Sequence, residues 1–348
     1  MDGGTLSAAR PVVWRDPGAR AAALVALAGA VAVAALILLA GENPALVFWR
    51  MLEGSLFSTS GLSDAITRAI PLCLVGLGIA VAFRANVFNI GADGQLLAGA
   101  ATGAALAPVL AGLPVPLGLA LMLAGGMAGG ALWGGIAGVL RARFAVNEII
   151  ATIMLNYIAL QALGWLLRGP LQEPSGIFPR SARLAAEMRL PVLIEGTRIS
   201  AALLLALAAV LVLWVLITRS RHGYELTVAG RNAEAARYGG IRPGTVTVWA
   251  MLISGGLAGL AGVGELAGVH GRIQEGFGVG YGITGIAVAL LARLNPLWVP
   301  VSAFGFAALY VGSAAVARST SVPFPLVHVV EAVVILSFLA MTVRRGGN

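Results

Sequence analysis

Apolar residues run along most of this chain in stretches of about 20, the length of a membrane-spanning helix, separated by short polar clusters. Such segments stand near residues 21–40, 63–83, 90–111, 116–140, 148–167, 199–218, 245–269, 282–292, 297–317 and 326–343. The pattern predicts an all-α, polytopic membrane protein of about ten transmembrane helices. The segment at 282–292 is too short to cross a bilayer, so it reads as a half-helix or as one extended by its glycine-rich lead. Segments two to five and seven to ten would run in opposite senses, as an inverted repeat requires. The expected organisation is a tail over 1–20, a transmembrane domain over 21–343 and a second tail over 344–348. Two connections are long, 168–198 and 219–244. The first apolar run exceeds the core of a secretory signal peptide, and it reads as an uncleaved helix.

One polar cluster interrupts an apolar region where a helix would otherwise continue. Phe88 to Gln95, FNIGADGQ, puts Asn89, Asp93 and Gln95 beside Gly91 and Gly94. An acid at membrane depth costs roughly 2.5–3.5 kcal/mol on insertion scales, so it faces a cavity or a partner. Glycine lets the backbone bend there or another helix come close. A broken helix of this kind suits a solute path, and the three side chains either line that path or bond backbone groups freed by the break.

Composition narrows the class. The chain is 59% hydrophobic and 11% charged, too few charges to cover a soluble surface. Its formal charge of +8 comes from arginine, because lysine is absent. That excludes a P-loop and lysine Schiff-base chemistry, so any ATP would be hydrolysed on another subunit. One cysteine excludes an internal disulfide, and three scattered histidines do not make a metal site. Arginines at membrane borders explain the charge better than nucleic acid does. Arg84, Arg141, Arg143, the arginines of 219–244, Arg293, Arg344 and Arg345 fall on one face, which places both termini in the cytoplasm and 168–198 outside.

Other residues stand out by position. Gly126, Gly130, Gly134 and Gly138 recur every fourth residue, a ridge for close helix packing, as do Gly255 with Gly259 and Gly264 with Gly268. Asn147 and Glu148 open a helix, where an acid suits the dipole. Asn156 and Tyr157, deeper on that helix, are candidates for the cavity. Glu265, with Gln274, Glu275 and Tyr281 near it in sequence, reads as an outer mouth, although a pair with Arg272 is an open alternative. His328 and Glu331, three residues apart, read as a buried hydrogen-bonded pair. Six tryptophans from Trp49 to Trp298 lie toward segment borders, as interfacial anchors do. In the inside loop, Asn232 to Tyr238 reads as a short charged helix set off by Gly230, Gly239 and Gly240, either a docking element or a solvated surface helix.

Four segments in order, FNIGADGQLLAGA (88–100), NEIIATIMLNYIA (147–159), AGRNAEAARYGGI (229–241) and GFGVGYGITGIAVALLARLNP (276–296), resemble one family. It is the permease subunit of ABC importers for nucleosides and simple sugars, in the branch similar to purine-nucleoside permeases. The resemblance runs from about residue 60 onward. It implies a second, homologous permease subunit, a cytoplasmic ATPase with two nucleotide-binding halves that uses the ATP, and an extracytoplasmic substrate-binding protein, often a lipoprotein. This chain would then bind no cofactor of its own, catalyse nothing, and sit in the cytoplasmic membrane among its lipids. Asn232–Tyr238 then resembles the coupling helix, with Arg231, Glu234 and Arg237 as its contacts. The chain departs from the pattern at Asp93, where the family commonly has glutamate, at Ala233, where it often has proline, and at Thr284, near which it commonly carries an acid. The competing expectation is an ion-coupled secondary transporter working alone, with Asp93 or Glu265 binding the ion.

Overall fold

The computed structural model of the chain describes residues 17–320, with Val329, Ala332 and Val333 beyond them. Among the described residues the regular secondary structure is helical, with three isolated β-bridges near the loop that precedes residue 202. The helices are α1 (Pro17–Leu39), α2 (Pro44–Leu52), α3 (Thr59–Arg84), α4 (Ala92–Leu110), α5 (Val115–Phe144) and α6 (Glu148–Leu167). They continue with α7 (Ala202–Arg219), α8 (Arg221–Arg231), α9 (Ala233–Tyr238), α10 (Pro243–Glu265), α11 (Tyr281–Leu291) and α12 (Val299–Ser319). Two compact units are distinguished, Gly54–Val311 and one drawn from the residues before and after it. In the smaller unit Ile37, Val47 and Val316 form a buried cluster.

Six described helices are long and apolar enough to cross a membrane, or seven if the bent pair Leu27–Leu39 and Pro44–Phe57 is one span. The sequence expectation of about ten is not reached, for three physical reasons. The segment at 90–111 is the 19-residue helix α4, which carries the polar start of the FNIGADGQ break. The segment at 282–292 is α11, whose 11 residues rise about 16 Å, half of a hydrocarbon core. The segment at 326–343, with His328 and Glu331, lies outside the described residues.

The core of the larger unit is α10 with α3, α4 and α5 around it. Glycines set its spacing. Every fourth residue of α5 meets every fourth residue of α10 in an antiparallel crossing: Gly126 faces Val263, Gly130 faces Gly259, Gly134 faces Gly255 and Gly138 faces Met251. A Cβ on Gly259 would stand 2.5 Å from the Gly126 carbonyl oxygen, so the two backbones touch. Close approach of this sort replaces the hydrophobic drive that is missing between helices in lipid. The same stretch of α10 also packs on α4, with Gly99 against Gly259 and Gly103 against Val263, so α4 and α10 run in the same sense.

Loop 219–244 departs from the expected single short helix. Gly230 does not separate a docking helix from the membrane, because it lies inside α8, where its missing side chain lets that helix meet the Arg84 carbonyl at the end of α3. Arg221 donates to Glu225 one turn on at 2.7 Å, an i,i+4 pair, while Gly223, Leu226 and Ala229 are buried along one side of the helix.

Candidate solute path and coupling surface

The break before α4 is a built feature. Asn89, fully buried, exchanges amide hydrogen bonds with Gln95: its Nδ2 donates to Gln95 Oε1 at 2.9 Å, and Gln95 Nε2 donates back to Asn89 Oδ1 at 3.0 Å. Asn89 Nδ2 also donates to Ser254 Oγ at 2.8 Å, and its Oδ1 accepts from Gly91 N at 2.9 Å. From the next helix Asn156 closes the arrangement, donating to Ile90 O at 2.9 Å and accepting from Gly94 N at 2.8 Å. Three backbone groups at the break, the N–H groups of Gly91 and Gly94 and the carbonyl of Ile90, are thus paired, as a membrane interior favours. Of the two roles left open by the sequence, Asn89 and Gln95 occupy the bracing one in this state. Ser254 lies near the middle of α10, so α4 starts at about half depth.

A second break mirrors the first. After α10 the chain passes a π-helical turn, Leu266–His270, and returns through residues 271–280 to the start of α11. Gly271, Gly276, Gly278 and Gly280 all have positive φ, from +67° to +94°, which side-chain-bearing residues rarely adopt. This re-entrant lead therefore needs its glycines. Gly278 reaches Leu96 of α4, and the N–H of Gly282 donates to Asp93 Oδ1 at 2.6 Å. Helices α4 and α11 thus point their N-termini at each other, and the half-buried carboxylate of Asp93 sits between them. Both positive helix ends favour an acid at that point.

A third cluster joins α3, α10, α11 and α12. The Tyr281 hydroxyl donates to Glu265 Oε1 at 2.6 Å, and His270 Nε2 lies 3.6 Å from Glu265 Oε2. Glu265 is only 6% exposed. The Arg68 guanidinium carbon stands 3.2 Å from the ring centre of Tyr310 and 5.4 Å from that of Tyr281. Glu265 and Tyr281, both named from sequence, are bonded to each other. The other two residues of the expected mouth lie apart from them: Gln274 bridges to Arg180, and Glu275 pairs with Arg168. Glu265 takes Tyr281 and His270 in place of Arg272, which lies in the field of Glu173 instead. Sequence reasoning missed Arg68, His270 and Tyr310. An arginine ten residues into an apolar helix was the available signal for Arg68.

Tyr157 is 63% exposed and turned away from the break that Asn156 braces. Asn156 and Tyr157 therefore present different sides of the helix, since successive helical residues point about 100° apart. At the start of the same helix the Asn147 side chain accepts from Ile149 N at 2.9 Å, and buried Glu148 pairs with Arg141 at 3.2 Å.

The loop over 168–198 is stitched to the Glu265 end of α10. Ser181 N donates to Ile273 O at 2.8 Å, Leu184 N to Gly271 O at 2.7 Å and Leu190 N to Ala267 O at 3.0 Å. Within it, hydrogen bonds from Arg180 and then Ser175 hold the Glu173 carboxyl below the usual carboxylate range.

At the opposite end α9 stands out from the bundle. Asn232 is its N-cap, just outside the helix, and accepts from Glu234 N at 2.9 Å and Ala235 N at 3.0 Å. Only Ala236 is buried, while Arg231, Glu234, Arg237 and Tyr238 are exposed, Tyr238 to 88%. Behind α9, Gly230 of α8 lies against the Arg84 carbonyl, and Arg84 Nε donates to Leu294 O, just past α11, at 2.9 Å. A contiguous packed route therefore leads from α9 through α8 and the end of α3 to α11, whose other end holds Asp93. No group of three or more His, Cys, Asp or Glu side chains that could hold a metal occurs among the described residues.

Comparison with known proteins adds the following. Residues 61–341 match the family model described as branched-chain amino acid transport system / permease component. The chain is 39% identical over 324 residues to the glucose ABC transporter permease protein TsgB13 of Haloferax volcanii, covering 90% of this chain and 84% of that one. It is 34% identical over 319 residues to the guanosine ABC transporter permease protein NupP of Bacillus subtilis, covering 90% and 91%. It is 29% identical over 329 residues to the nucleoside ABC transporter permease protein NupB of Lactococcus lactis, covering 91% and 90%.

Proposed function

The chain belongs to the family of the branched-chain amino acid transport system / permease component, and from that premise we propose that it carries nucleosides or related simple sugars inward. It is a multi-pass membrane permease of the ABC transporter type. Its relatives along nearly the whole length are permeases for glucose, guanosine and nucleosides, and they support a neutral, hydroxyl-bearing solute. In this reading the chain forms half of the path, beside a second homologous permease subunit. A cytoplasmic ATPase with two nucleotide-binding halves hydrolyses ATP, and an extracytoplasmic binding protein delivers solute. The chain itself binds no cofactor and catalyses no reaction, and both its termini are cytoplasmic.

The observation that carries this reading is α9, a short helix capped by its own Asn232 and projecting almost every side chain into solvent. A carrier working alone has no use for such an element. In the proposed mechanism, closure of the ATPase pushes on Glu234, Arg237 and Tyr238. Gly230 and Arg84 pass the displacement to α11, and the opposed ends of α4 and α11 shift about Asp93. Two packings of this junction then give the inward- and outward-open states. Asp93, Glu265 and Tyr281 are the path residues in this reading, and Asn156 holds the break beside them. Asn89 and Gln95 brace the break, and Arg231 and Asn232 set the start of α9. Copurification tests the docking role: a tagged chain retains an ATP-hydrolysing subunit through membrane solubilisation. Charge reversal at Glu234 and Arg237 releases that subunit. Equal retention by the wild type and the reversed variant contradicts docking through α9.

A further inference from the structure

Arg68 lies at membrane depth on α3, yet among the described residues its guanidinium makes no hydrogen bond or ion pair and rests on aromatic faces. Below it the Tyr281 hydroxyl occupies one oxygen of Glu265. The other oxygen, Oε2, is buried without a hydrogen bond, with His270 Nε2 only at 3.6 Å. The cluster sits where the glycine-rich lead of α11 enters, under the loop stitched to residues 267–273.

We propose that Tyr310, Tyr281 and Glu265 form a recognition site for the flat base and hydroxyls of a nucleoside, and that Arg68 covers it until solute arrives. A guanidinium is planar and delocalised and stacks on a ring as a heterocycle does. The Tyr faces it covers can take any planar base, since stacking does not depend on base identity. A buried carboxylate oxygen without a donor is matched by a hydroxyl or ring N–H of the solute. A free sugar supplies the hydroxyls and a C–H face but not the planar π-system that would take the place of the guanidinium between the rings. The inference rests on the permease reading above and goes further by choosing base-bearing solutes over simple sugars.

The test measures ATP-driven uptake of labelled guanosine, ribose and glucose by the complete transporter in proteoliposomes. Wild type is expected to prefer guanosine. Tyr310→Leu raises the KM for guanosine tenfold or more, while Tyr310→Phe, which keeps the ring face, does not. Arg68→Ala lowers the KM for guanosine several-fold, because the competing guanidinium is gone. A residue that only supported the fold would not produce that gain. Uptake of glucose or ribose but not guanosine by the wild type overturns this inference and leaves the permease reading intact. An unchanged KM in Tyr310→Leu, or a raised KM in Arg68→Ala, also overturns it. Absence of ATP-driven uptake of any solute overturns the permease reading itself.

Discussion

Replacing Asp93 tests the opposed-helix junction most closely. Its Oδ1 takes the Gly282 N–H at 2.6 Å, and its charge stands in the first turn of α4 at the mouth of α11. A hydrogen bond to a charged group contributes about 1.5–3 kcal/mol, and the orphaned Gly282 donor would be left in a site with little water. A charge at a helix N-terminus adds about 0.3–2 kcal/mol. Asp93→Ala loses both contributions and should destabilise the chain by about 2–5 kcal/mol. Asp93→Asn keeps an acceptor and loses only the charge, so its cost should stay at about 0.3–2 kcal/mol. Thermal unfolding of the purified full chain in detergent, followed by tryptophan fluorescence, should rank wild type above Asn and Asn above Ala. Uptake by the complete transporter should fall in the same order. An Asn variant as damaged as Ala would refute the weight given to the Gly282 bond. Wild-type melting in both would refute the junction as a brace.

Three further outcomes follow from the same geometry. Gly259→Ala sets a methyl against the Gly126 carbonyl, so it should cost about 1–3 kcal/mol in melting and separate α5 from α10, and Gly240→Ala, with open space around it but a φ of +77°, should cost only local strain. The double change Glu234→Ala with Arg237→Ala should lower uptake while leaving expression and membrane insertion normal, as read by blotting of membrane fractions. Because the folded-state pKa of Glu173 is lowered, its ion pair with Arg180 stabilises the 168–198 loop at neutral pH. That support is lost as the pH falls below the ordinary 4.5 and through the folded value, so limited proteolysis should cut the loop faster at pH 3 than at pH 6, and Glu173→Gln should remove the difference.

The parts of the fold that were legible in the sequence follow from local rules. Polar residues with glycine in an apolar stretch mark a break, and FNIGADGQ is where α4 starts at half depth. A short apolar segment behind a glycine-rich lead is a half-helix, and α11 has 11 residues. Less was legible where partners are distant in sequence. Asn89 bonds Ser254, 165 positions away, and no periodicity in either segment announces that contact. The same holds for Asp93 and Gly282, 189 positions apart, which turn two separate breaks into one junction. Helix α8 was hidden because the contact that seats it, Gly230 against the Arg84 carbonyl, joins residues far apart in sequence.

The central claim is that a separate ATPase moves solute through this chain by pressing on α9. Reconstitution in proteoliposomes tests it, with the ATPase, its paired permease and the binding protein supplied or withheld and an ion gradient imposed in parallel. Accumulation that requires ATP hydrolysis, stops when the ATPase is omitted and ignores the ion gradient is the predicted result. Solute accumulated by the chain alone down a proton or sodium gradient would contradict it.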